Sequence, residues 1–94
     1  MLLTLSMRVS ASPDVLINVL DGQSVLLDLK AGRYFGLDEV GTRMWQALTA
    51  AQSVEAAYSA LLAEYDVEPE RLREDLLALA EKLIENGLLE THGA

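Results

Sequence analysis

Between residues 15 and 37 apolar side chains recur at every second position; beyond residue 38 they recur at every third or fourth. The first spacing belongs to half-buried strands and the second to amphipathic helices. In VLINV (15–19), Val15, Ile17 and Val19 alternate with Leu16 and Asn18. In SVLLDLK (24–30), Val25, Leu27 and Leu29 alternate with Leu26 and Asp28. In RYFGL (33–37), Phe35 and Leu37 share one face, opposite Tyr34 and Gly36. Asp21-Gly22 and Ala31-Gly32 mark the turns between these pieces. Matching the apolar faces favours a three-residue loop at each turn. That choice sets Ile17 and Phe35 opposite Leu27, and Val19 and Leu37 opposite Val25, with Gly32 in a left-handed conformation. The pattern therefore predicts a three-stranded antiparallel meander with one oily face. Residues 6–10 can add a short lead-in strand.

Three helices follow. Asp38 can cap the first, in which Val40, Met44 and Leu48 recur with Trp45 beside them. Ser53 can cap the second, whose stripe is Val54, Ala57, Tyr58, Leu61, Leu62 and Tyr65. The third opens at Pro69, after a cap near Asp66 to Glu68, and closes at Asn86-Gly87. Its stripe of Leu72, Leu76, Leu79 and Leu83 is widened by Leu77, Ala80 and Ile84. A helix so broadly apolar needs cover on two sides. Its two neighbouring helices explain one side; the other must meet the sheet, a groove or a partner. LLE (88–90) can form a last short strand. The expected fold class is α+β and winged helix-turn-helix-like, a three-stranded antiparallel sheet followed by three helices. One domain over residues 1–94 is expected, with its core in 15–90.

Composition removes several classes of function. The 94-residue chain has no cysteine, so disulfides and thiolate metal sites are excluded. No apolar run reaches the roughly 18 residues that span a bilayer. The opening MLLTLSMRVS lacks a basic leader and breaks at Arg8, unlike a signal peptide. A cytoplasmic location is expected. The net charge is −8, and residues 48–94 carry ten acids against three bases. An acidic body repels nucleic acid and anionic membrane. The winged-helix outline invites comparison with DNA-binding regulators, yet residues 69–86 carry five acids and three bases. Such a helix lacks the phosphate attraction that supplies non-specific DNA affinity.

The catalytic inventory is empty. His92 is the sole histidine and reads as a solvated tail residue. No nucleophilic triad, HExxH, GxxxxGK or GxGxxG is present. The carboxylates between Glu64 and Asp75 lack metal-loop spacing and read as a solvated face. No catalytic residue, metal or cofactor is expected. What remains is a protein or peptide partner. RYFGL can lie at a sheet edge with unpaired N–H and C=O groups, and only Arg33 and Asp38 guard its ends. An edge strand beside an oily helix suits an extended peptide: main-chain bonds give affinity, and side-chain pockets give specificity.

Two stretches carry a family resemblance. SVLLDLKAGRYFGLDEVGTRMWQAL, followed by SVEAAYSALLAEYDVEPERLREDLLALAEKLIENGLL, resembles the PqqD-like peptide chaperones, also called RiPP recognition elements. The matching features are LLD, Gly32 before Tyr34 and Phe35, Leu37-Asp38, Gly41 with Trp45, Asp75, and Gly87-Leu88-Leu89. Their order and spacing cover residues 15–90, and Asp38 stands where the wider family commonly has asparagine. Tyr-Phe followed by a glycine in the first helix is most similar to the lasso-peptide branch.

The resemblance implies that the leader region of a ribosomally made precursor peptide pairs with the third strand and lies against the third helix. It implies presentation of that precursor to a cysteine-protease-type leader peptidase and an ATP-dependent macrolactam synthetase, with no chemistry by the chaperone. Carried over by position, Arg33, Tyr34, Phe35, Gly36 and Leu37 supply the strand. Arg71, Asp75, Leu76 and Leu79 supply the helix. Tyr34, Leu76 and Leu79 are expected to line an apolar pocket; Arg71 and Asp75 are expected to fix orientation. Two other readings stay open: a PqqD-type chaperone serving a radical SAM enzyme in quinone-cofactor synthesis, and a winged-helix DNA-binding regulator.

Overall fold

The computed structural model describes residues 3–92. Met1, Leu2, Gly93 and Ala94, the ends of the expected 1–94 domain and the first two residues of the apolar opening stretch, lie outside it. The order is β1 (Arg8–Ala11), β2 (Val15–Leu20), β3 (Gln23–Asp28), β4 (Arg33–Leu37), α1 (Glu39–Ala50), α2 (Val54–Glu64), α3 (Pro69–Glu85) and β5 (Leu89–His92). Strands β2, β3 and β4 form the expected meander in that order, and β1 pairs with β5 in a second, two-stranded sheet.

The meander forms with a different register from the one the apolar faces suggest. Asp21 and Gly22, with φ of 54° and 82°, make a two-residue turn, so Ile17 faces Leu26 and Val19 faces Ser24. Two left-handed residues match the twist of the flanking strands, and Asp-Gly suits them. At the next turn the Asp28 carboxylate accepts the N–H of Lys30 and of Ala31, both at 3.1 Å, and its carbonyl accepts that of Gly32 at 2.9 Å. These bonds hold a four-residue loop that sets Phe35 opposite Leu26 and Leu37 opposite Ser24. Only β3 is turned over relative to expectation: Ser24 and Leu26 point inward, while Val25 and Leu27 point out. The inward Ser24 is not left unsatisfied, because its hydroxyl and that of Thr42 on α1 hydrogen-bond at 2.7 Å.

The helices begin where their caps predict. The Asp38 carboxylate accepts the Gly41 N–H at 2.7 Å, and the Ser53 hydroxyl accepts the Ala56 N–H at 3.0 Å. A side chain at Gly41 would press on Asp38 Oδ1 at 3.2 Å and Leu37 at 3.3 Å. Glu68 occupies the cap position of α3 without a side-chain bond, and Pro69 opens the helix. Gly87, at φ 75°, ends it. Val40 is exposed, so the buried stripe of α1 is Gly41, Met44, Trp45 and Leu48.

The core gathers Leu26 and Leu37 with Trp45, Leu48, Val54, Leu61, Leu72, Leu76 and Leu83. Arg43 on α1 and Glu64 on α2 form a two-pronged ion pair, its Nε–Oε2 arm 2.9 Å long. That hydrogen bond holds the guanidinium above its ordinary pKa, against partial desolvation. His92 is not a free tail residue: it lies half-buried in β5, paired with Arg8, with Nε2 2.8 Å from the Ser10 hydroxyl. The segment before β1 reaches α2, where the Leu5 and Met7 carbonyls accept the N–H groups of Glu55 and Val54.

Candidate peptide-binding groove

The strand order leaves β4 at an edge. Leu29 donates its N–H to the Asp14 carbonyl at 2.9 Å, so these two form a hydrogen-bonded pair at the foot of the β2–β3 hairpin. Hydrogen-bonded and non-bonded pairs alternate along an antiparallel ladder. Counting from that pair, Ser24, Leu26 and Asp28 turn their main chains toward β4, where they meet Leu37, Phe35 and Arg33. The N–H and C=O groups of Tyr34 and Gly36 therefore point away from the sheet. They are the free valences of the edge.

Helix α3 packs on α1, α2 and β5, whereas β4 rests on α1. Two side-chain bridges run from β4 to the C-terminal end of α3 and its cap residue Asn86. Arg33 Nη2 donates to the Asn86 carbonyl at 3.3 Å, and Lys82 Nζ stands 5.4 Å from the centre of the Phe35 ring. A hollow of about 60 Å³ opens there, bordered by Asp28, Arg33, Tyr34, Phe35, Asn86 and Leu88. At 100° per residue, Arg71, Asp75, Leu79, Lys82 and Asn86 fall within an arc of about 80°. Two members of this stripe touch β4 residues, so the stripe is the groove wall. At 1.5 Å per residue, Arg71 and Asp75 lie roughly 17 and 10 Å along the helix from Lys82. A strand facing the whole stripe would be about seven residues long.

The structure places the expected site residues in different settings. Arg33 and the half-buried Phe35 border the hollow, while Leu79 lies on the α3 stripe, half-buried against the core. Gly36 is exposed on the edge, with open space where a side chain would stand. Arg71 and Asp75 are exposed on the groove stripe, 4.0 Å apart as a loose ion pair. Leu37 and Leu76 are core residues, Leu76 fully enclosed, so Leu76 offers the groove no surface. Tyr34 borders the hollow at its rim, without Leu79. Its side chain is 78% exposed on the outer face, in register with Leu27 and Leu16. Lys82 and Asn86 were not among the expected residues. Continuing the spacing from Arg71 through Asp75 and Leu79 reaches both.

A model of the family described as coenzyme PQQ synthesis protein D (PqqD) matches residues 23–89. The chain belongs to the PqqD family. Among solved structures, TbiB1 in complex with the TbiA(beta) leader peptide superposes with a TM-score of 0.81 at 35% identity, over 90% of this chain and 99% of that one. A lasso peptide synthetase B1 complexed with the leader peptide gives a TM-score of 0.78 at 29% identity, over 88% and 98%. No curated protein matches the PqqD-family chain in sequence. Among the described residues of this PqqD-family member, no three His, Cys, Asp or Glu side chains converge as metal ligands, and no helix is long and apolar enough to cross a membrane.

Proposed function

We propose that this PqqD-family protein binds the leader region of a ribosomally made precursor peptide of the lasso class. The leader adds to β4 as a fourth strand, bonds to Tyr34 and Gly36, and lies against the α3 stripe. The observation that carries the reading is the unpaired β4 edge opening on a hollow that the half-buried Phe35 ring borders. The two leader-bound structures of the same fold support it. The protein acts by binding alone, in the cytoplasm, and hands the precursor to a cysteine-protease-type leader peptidase and an ATP-dependent macrolactam synthetase.

Such a handover needs a second surface, and the outer face of the sheet supplies one. Leu16, Leu20, Val25, Leu27 and Tyr34 lie side by side there, all exposed, Leu20 at 74%. Exposed apolar patches of this kind mark interaction sites. The patch adjoins the β4 edge, so an enzyme seated on it would meet the guest strand.

Fluorescence anisotropy with a labelled leader from the neighbouring precursor gene tests the reading. The expected dissociation constant is micromolar or lower, with little salt dependence. Gly36→Pro, which removes an outward N–H and leaves the internal ladder bonds in place, should weaken binding at least tenfold. Equal binding by both proteins would discard strand addition. The family description keeps a second reading in view, a chaperone of quinone-cofactor synthesis. Preferential binding of a quinone-precursor peptide over a lasso leader would favour it. Tight DNA binding with a steep salt slope would favour a regulator instead.

A further inference from the structure

The protein is strongly acidic, yet the wall facing the guest is not. On α3, Glu70, Glu74, Glu81 and Glu85 fall on one arc, about 40° to 100° outside the edge of the groove stripe; Glu70, Glu74 and Glu85 are exposed and Glu81 is half-buried. The stripe itself carries Arg71 and Lys82 against Asp75, and β4 adds Arg33 from across the groove. Asp28 lies opposite Arg33 and borders the same hollow, but its carboxylate is turned to the N–H groups of Lys30 and Ala31 and makes no ion pair with Arg33. Among the described residues the ion pairs are Arg43–Glu64 and Arg71–Asp75, so Arg33 and Lys82 have no carboxylate partner. Both stand beside the half-buried Phe35 ring, Lys82 over its face and Arg33 anchored to the Asn86 carbonyl. A positive strip on a negative body focuses potential on whatever enters it.

Strand geometry converts this into a sequence preference. Arg33, Phe35 and Leu37 point to the groove side, two residues apart. A guest strand bonded to Tyr34 and Gly36 has its own groove-side residues at the same spacing. The guest residue beside Phe35 meets the aromatic ring, and the one beside Arg33 meets the guanidinium, with the Lys82 ammonium over the neighbouring ring. We propose that Arg33 and Lys82 are specificity-determining residues that select a guest carrying an aspartate or glutamate two positions from its apolar anchor. The inference rests on strand addition at β4. Its chemistry is carboxylate recognition by a guanidinium and an ammonium, the guanidinium able to engage both oxygens.

A randomised ten-residue peptide-display library, selected separately on the wild-type protein, on the Arg33→Glu/Lys82→Glu double variant and on Gly36→Pro, tests this. Both altered cations are exposed, so the double variant should melt within a few degrees of wild type. Wild-type selectants should share an apolar or aromatic residue with Asp or Glu at an offset of two. The double variant should keep the anchor and switch the offset position to Lys or Arg. Gly36→Pro should enrich neither. In a synthesised wild-type selectant, exchanging the acid for its amide should cost about three- to tenfold in affinity to wild type. An anchor without the acid, or an acid preference unchanged in the double variant, overturns the charge selection and leaves strand addition standing. Identical selectants from wild type and Gly36→Pro would overturn strand addition itself, and the charge selection with it.

Discussion

Replacing Tyr34 with alanine removes a side chain that is 78% exposed and touches the core little. Exposed substitutions of this kind change stability by about 0.5 kcal/mol or less. If the guest strand lies along β4, the same ring borders its outward side chains, so Tyr34→Ala should weaken leader binding several-fold at nearly constant melting temperature. Parallel anisotropy and thermal melts check this. Equal losses in both would make Tyr34 a stabilising residue only. Phe35, one position on, differs through strand geometry alone: it faces inward, half-buried beneath Lys82. Alternation in RYFGL separated these two residues correctly, with Tyr34 and Phe35 on opposite faces. Their surroundings could not be read there, because the position of Lys82 depends on how α3 crosses the sheet.

At the scale of elements, the helices were legible and the register was not. Asp38, Ser53, Pro69 and Gly87 punctuate the chain with physical stops and starts, and the buried stripes of α2 and α3 follow their 3.6-residue period. Strand β3 carries apolar residues at 25, 26 and 27 in succession, so either face can be taken as the inner one. The decision came from turn chemistry, the Asp21-Gly22 pair and the Asp28 carboxylate, and from Thr42, which receives Ser24 in the core. A one-residue slip reverses every side chain of a strand. The resulting ladder makes a prediction of its own. In hydrogen exchange, the amides of Phe35 and Leu37 should be protected in the free protein, while those of Tyr34 and Gly36 should gain protection only when leader is added. Protection of Tyr34 and Gly36 without leader would mean that the edge is already occupied.

Across the whole molecule, two surfaces divide the work. In the proposed function the groove takes the guest, and the outer sheet face, apolar and exposed, is the docking surface for an enzyme. Leu27→Asp places a charge in the middle of that face without entering the core, since Leu27 is among the exposed apolar residues. Leader affinity should stay within about twofold, while the rate of leader removal by the cognate peptidase should fall about tenfold or more. A charge desolvated in an apolar interface costs several kcal/mol unless paired. Unchanged proteolysis would move the docking site elsewhere. Sequence alone showed the groove stripe in part and this second face not at all, because the β3 inversion hides Val25 and Leu27 inside the expected core.

The pairing of Arg8 with His92 across β1 and β5 brings the incoming and outgoing chain side by side, about 5 Å apart. The lead-in does not stop at that doorway: residues 3–7 run on to α2, where the Leu5 and Met7 carbonyls are bonded and Leu3 joins the core. A reordered chain opened at the Asp21-Gly22 bend should therefore still capture its peptide if its bridge keeps residues 3–7, and should lose stability if Arg8 is joined directly to His92.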